Sequence, residues 1–232
     1  MVDRKSLRLS AILLVVGLLL FVGITALHAG GEANNHPVVF LNYAASASWI
    51  AVHLGQFLGM AVMISGLLVL VFAFNTRLSS PGIAGWLAAI SAVISLALYG
   101  VLQAVDGIAL KRAVDAWASA PQAEKAARFA SAEVIRWLEE GVRSYQDFML
   151  GLTLILLGIM VIRAARNLRP IGYLIGLSGI VYLAQGWVLS TEGFSPTHTM
   201  IILVTEGLIF SWGIWLLVGT WRFKEQVGAP TG

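Results

Sequence analysis

The chain's 232 residues are 58% hydrophobic and only 12% charged, with a formal net charge of +3 and a mean hydropathy of +0.84. A soluble domain carries about twice that share of charge, so the composition is that of an integral membrane protein. With no cysteine present, disulfides, thiolate zinc sites, iron–sulfur clusters and a cysteine nucleophile are excluded, and the slight basicity gives no support to nucleic-acid binding.

Six apolar stretches are long enough to cross about 30 Å of hydrocarbon as helices. The first, residues 9–27, follows Arg4, Lys5 and Arg8 and resembles a secretory signal. Its apolar run exceeds a signal core and no A-x-A site follows it, so it is expected to be a retained span. The connection after it carries His28, Glu32 and His36. The second span, 47–74, places His53 and Gln56 on one face at i,i+3, with Met60 and Met63 continuing that face. The third, 82–105, opens after Pro81 and ends with Gln103 and Asp106.

Residues 107–145 form the one long connection, and its periodicity predicts an amphipathic helix lying on the surface, or a helical hairpin projecting from it. Ser119 and Pro121 read as a start and Gly141 as a stop, with i,i+4 pairs Glu124/Arg128 and Arg136/Glu140. Ala127, Ala130, Val134 and Leu138 form an apolar stripe, and Trp117, Phe129 and Trp137 suit the headgroup level. The fourth span, 146–164, opens with Gln146 and Asp147. The fifth, 170–190, starts at Pro170 and closes with Gln185 and Glu192, and the sixth, 199–221, follows His198 and carries Glu206.

The predicted fold is therefore an all-α polytopic membrane protein, one integral domain over 1–232, with six transmembrane helices and an extra amphipathic helix between the third and fourth. With the N-terminus inside, the inner segments hold nine basic residues (Arg4, Lys5, Arg8, Arg77, Arg163, Arg166, Arg169, Arg222 and Lys224) against Asp3 and Glu225. That bias places both termini in the cytoplasm. Trp49 and Trp187 then fall near outer ends, and Trp86, Tyr173 and Trp221 near inner ends, where aromatic belts sit. Small-residue pairs, Gly55-x-x-x-Gly59, Ala84-x-x-x-Ala88, Ser91-x-x-x-Ser95 and Gly172-x-x-x-Gly176, predict close helix packing.

Ionisable groups inside a membrane are costly and mark function or partners. Here they gather in the outer halves of the spans, while the inner halves hold no histidine and no acid. Three functional readings follow. In the first, a polar pocket open to the extracytoplasmic side binds a small ligand or a cofactor, either a metal ion or a b-type haem. His53 and His198 are the candidate haem ligands. His53, Asp106, Glu192, His198 and Glu206 are candidate metal ligands, with Gln56, Gln103, Asp147 and Gln185 lining the pocket. In the second, the chain is a non-catalytic accessory or scaffold subunit whose polar residues meet a partner membrane subunit. The third is a small-molecule or lipid transporter, which the apolar inner half disfavours. The bland alternative is that the amides and carboxylates only tie helices together, and that Ser190 to His198 form a capped turn instead of a hydrolase centre. No phosphate-binding loop, nucleotide-binding glycine motif, nucleophile elbow or H-E-x-x-H occurs.

Overall fold

A computed structural model describes residues 4–75, 82–164 and 166–222, with the side chains of Asn75, Asn167, Trp221 and Arg222 left aside. Asp3, Arg77, Pro81, Lys224 and Glu225, which entered the charge and capping arguments, lie outside the described residues. Eight α-helices account for nearly all of the rest: α1 (Arg4–Thr25), α2 (His36–Ala45), α3 (Trp49–Asn75), α4 (Ile83–Ala104), α5 (Lys111–Ala118), α6 (Lys125–Ala164), α7 (Arg169–Glu192) and α8 (Pro196–Arg222). A π-helical turn, Val105–Leu110, joins α4 to α5 without a break.

Six helical stretches are long and apolar enough to span a membrane: α1, α3, α4 continued through α5, α6, α7 and α8. The chain is thus an all-α, multi-pass membrane protein. The spans form a closed ring in the order α1, α3, α4, α6, α7, α8, with α8 returning to α1. Arg4 Nε donates to the Thr220 carbonyl at 3.0 Å, so the chain enters and leaves the bundle at the same end. Small residues set the closest contacts: a Cβ on Gly158 of α6 would lie 2.7 Å from the Gly172 carbonyl oxygen of α7. Ser91 and Ser95 of α4 bond Thr153 and Gln146 of α6 at 2.8 and 3.1 Å.

At the end opposite the termini, the segment between the third and fourth spans takes the projecting form. With 40 residues, α6 is about 60 Å long, roughly twice the hydrocarbon thickness, and its first half turns back along α5 as a hairpin. Gly141 does not stop it. A glycine ends a helix where the chain turns away, whereas here Ser144, Gln146 and Asp147 continue the buried face and packing overrides the weak propensity.

The buried face also differs from the expected stripe. Val134 and Leu138 are exposed, and the hairpin buries Ala132, Arg136 and Glu139. Arg136 pairs with Glu139 at 2.7 Å instead of Glu140, because i+3 lies on the buried side, while Glu124 and Arg128 pair at 3.1 Å as expected. Trp117 and Phe129 pack on Phe40 of α2, a short helix within the connection between the first two spans. Val39, Phe40 and Tyr43 of α2, Trp49, Leu110, Val114 and Ala132 form a second apolar core that caps this end of the ring. Trp49 is therefore buried at 1% exposure and is no interface anchor, whereas Trp86, Tyr173 and Trp187 are exposed.

Candidate functional site

The π-helical turn inserts Asp106 into the bundle beneath this cap. A π turn widens the helix and is frequent at functional positions. It brings Gly107 against α3 so closely that a Cβ there would sit 2.7 Å from His53 Cβ. The result is a group of three, half-buried His28 after α1 with buried His53 on α3 and Asp106, whose ligating atoms lie within 4.8 Å of one another.

The hydrogen bonds fix which atoms face inward. His53 Nδ1 lies 2.7 Å from the Trp49 carbonyl and His28 Nδ1 lies 2.9 Å from the Ala29 carbonyl. A carbonyl oxygen only accepts, so each Nδ1 carries the hydrogen and each Nε2 is left for another partner. His53 Nε2 meets Asp106 Oδ2 at 2.8 Å. Nε2 and a carboxylate oxygen are both acceptors once Nδ1 holds the ring hydrogen, so a further proton is shared between them. Asp106 Oδ1 is buried with no partner at all.

Aromatic rings wall the group. Trp49 lies 4.5 Å from the His53 ring and 4.7 Å from the His28 ring, Tyr43 lies 4.2 Å from Trp49, and the two histidine rings are 5.1 Å apart. Trp49 Nε1 donates to the Asp106 carbonyl at 3.0 Å, pinning the π turn. Burial pushes the His28 imidazole below its ordinary value of 6.5, which the nearby Asp106 carboxylate only partly offsets. His28 is therefore neutral at pH 7, with its lone pair on Nε2.

On the flank of the bundle, a groove of about 300 Å³ between α3 and α4 reaches His53, Gln103 and Gly107, and Gln103 Oε1 is buried there without a partner. The ring of helices encloses two further spaces. A vestibule of about 1010 Å³ opens under residues 31–35 and the start of α2, with Gln56, Arg143, His198 and Glu206 in its wall. It narrows into a chamber of about 20 Å³ that every spanning helix lines, where Asp147 and Gln185 sit.

The residues picked out by sequence thus divide between places. His53 and Asp106 meet each other, whereas His198, Glu192 and Glu206 stand outside their group. His198 packs on Phe194 with Nε2 buried and unpartnered, and it lines the vestibule, whereas His53 lines the groove between α3 and α4. Glu192 accepts from Ser195 Oγ at 3.0 Å, and that same oxygen accepts from the His198 backbone N–H at 3.2 Å. This is a helix cap between α7 and α8, with Gly193 at φ +65° making the turn. Gln56 donates to Thr25 at 3.1 Å and Gln185 to Asp147 at 3.0 Å, tying α3 to α1 and α7 to α6.

Residues 83–219 match the family described as Domain of unknown function (DUF4386). The chain belongs to that family. The DUF4386 match runs from the start of α4 almost to the end of α8, so Asp106, Arg143 and Glu206 lie within it while His28 and His53 precede it. No curated protein and no solved structure matches the chain.

Proposed function

We propose that this DUF4386 protein is a membrane metalloprotein that holds one divalent transition metal on His28 Nε2, His53 Nε2 and Asp106. The observation that carries the reading is the pairing of each histidine's Nδ1 with a backbone carbonyl. That is the outer-shell arrangement that fixes tautomer and ring orientation in metal sites. The unpartnered Asp106 Oδ1 supplies the matching oxygen. Two imidazoles and one carboxylate suit zinc or ferrous iron and leave coordination positions open. A haem does not suit the pair, because rings 5.1 Å apart leave no room for a macrocycle between them. The metal takes the place of the proton shared by His53 and Asp106, so binding releases protons.

The cap and the metal face the extracytoplasmic side in this reading. Its support is the run of Arg4, Lys5, Arg8, Arg163, Arg166 and Arg169 at the opposite end of the bundle. The lipid bilayer is then the medium of the spans, with the groove between α3 and α4 as a lateral approach to His53.

The test is metal content of the purified full-length chain after chelation and reloading with zinc, followed by competition for affinity. One equivalent is expected in the wild type. His28→Ala, His53→Ala and Asp106→Asn are each expected to weaken it by about 100-fold or more, since losing an outer-shell partner alone costs 10- to 100-fold. Wild-type protein that takes up no stoichiometric metal would leave His53–Asp106 as a helix-tying ion pair and end the proposal.

A further inference from the structure

The axial cavity holds a second arrangement that the metal site does not use. Arg143 of α6 and Glu206 of α8 carry opposite charges and line both the vestibule and the chamber below it. They form no ion pair with each other, and among the described residues neither side chain has a hydrogen-bond partner. Arg143 Nε is buried without an acceptor, and its guanidinium lies 5.8 Å from the Phe194 ring. His198, only 1% exposed, adds an unpartnered Nε2 to the vestibule wall.

Charges held inside an apolar bundle are expensive unless something completes them. Were Arg143 alone in the cavity, an anion would suffice; Glu206 on the same space repels one. Were Glu206 alone, a cation would suffice, and Arg143 repels that. Arg143 shares the vestibule with Glu206 and, at the rim, Glu32, and the chamber below with Asp147. A guanidinium standing apart from carboxylates in one cavity is complementary to a molecule that carries both signs. We propose that the vestibule binds a small zwitterion, its anionic group on Arg143 and its ammonium group on Glu206. Phe21, Phe194, Met200 and Ile202 in the walls receive an apolar remainder. The chamber of about 20 Å³ is too small for more than a water, so the ligand stops at the narrowing.

A free amino-acid-like molecule and the headgroup of a zwitterionic phospholipid share this chemistry. Binding to the detergent-purified full-length chain, measured by calorimetry with EDTA present so that the metal site plays no part, separates them. L-leucine is compared with 4-methylpentanoate, which lacks the amine, and 3-methylbutylamine, which lacks the carboxylate. Dihexanoylphosphatidylethanolamine is the headgroup probe.

Leucine is expected to bind about tenfold or more tightly than either half-ligand, the order that one charged hydrogen-bonding group contributes. Arg143→Gln should abolish the advantage of leucine over the amine, and Glu206→Gln its advantage over the carboxylate. Should Arg143→Gln fail to elute as a monodisperse peak, Arg143→Lys and the half-ligand series on wild-type protein decide. Binding of the phosphatidylethanolamine but not leucine, with the same dependence on both residues, identifies the headgroup as the source and upholds the proposal. Binding of neither zwitterion overturns it, as does 4-methylpentanoate binding as tightly as leucine, or affinity indifferent to both substitutions.

Discussion

His28 shows how one half-buried side chain links the cap to pH. Its folded value lies below 6.5 because the cap desolvates it. In metal-free protein, the unfolded chain therefore takes up a proton near pH 6.5 that the folded chain still refuses. The unfolded state binds more protons in that window, so stability falls as the pH is lowered through 6.5 toward the depressed value, and His28 contributes no slope above it. A series of melting temperatures in EDTA should show this acid limb in the wild type and a flatter one in His28→Asn; an identical slope in both would remove the role given to burial. From the sequence alone, His53 and Asp106 were legible as costly groups inside spans, but His28 was not singled out. It sits in a connection, and only the packing of α2 and Trp49 over it makes it a neighbour of His53.

At the scale of the element, the hairpin reads as a local rule overridden by packing. Val134 and Leu138 keep helical spacing, yet the side turned inward carries Arg136 and Glu139, each 2% exposed. The guanidinium stacks over the Phe194 ring at 4.0 Å, a partner that lies 58 positions along the chain and that no periodicity announces. Glu139→Ala would leave Arg136 buried without its counter-ion and should destabilise the fold by about 3–5 kcal/mol, whereas an Arg136→Met/Glu139→Leu double variant should recover most of that loss. Thermal unfolding of the three proteins in one detergent checks this. A single variant as stable as wild type would show that the pair is not a buried necessity. The π turn was equally hidden, since the apolar pattern of the third span stops at 105 and the helix is carried on through Leu110 by packing, with Gly107 against His53.

For the whole molecule, the six spans were legible because hydrocarbon thickness sets a minimum helix length, but the third helical stretch runs on to Ala118 and the fourth begins at Lys125, well outside the expected limits. The order of helices around the ring was not, because it depends on contacts such as Gly158 with Gly172 and Arg4 with Thr220 that join distant parts of the chain. Ring closure separates the polar residues into the His28, His53 and Asp106 group under the cap and Arg143 with Glu206 on the axis, which sequence alone merges into one layer. Asp106 lies in the DUF4386 segment, whereas His53 comes from α3 and His28 from the connection that follows α1.

X-ray absorption at the zinc edge of the reloaded full-length protein reads the coordination sphere itself. A first shell of nitrogen and oxygen at about 2.0–2.1 Å is expected, with the multiple scattering of two imidazoles, falling to one in both His28→Ala and His53→Ala. A shell without histidine scattering, or one unchanged by either substitution, would contradict a metal held on His28, His53 and Asp106.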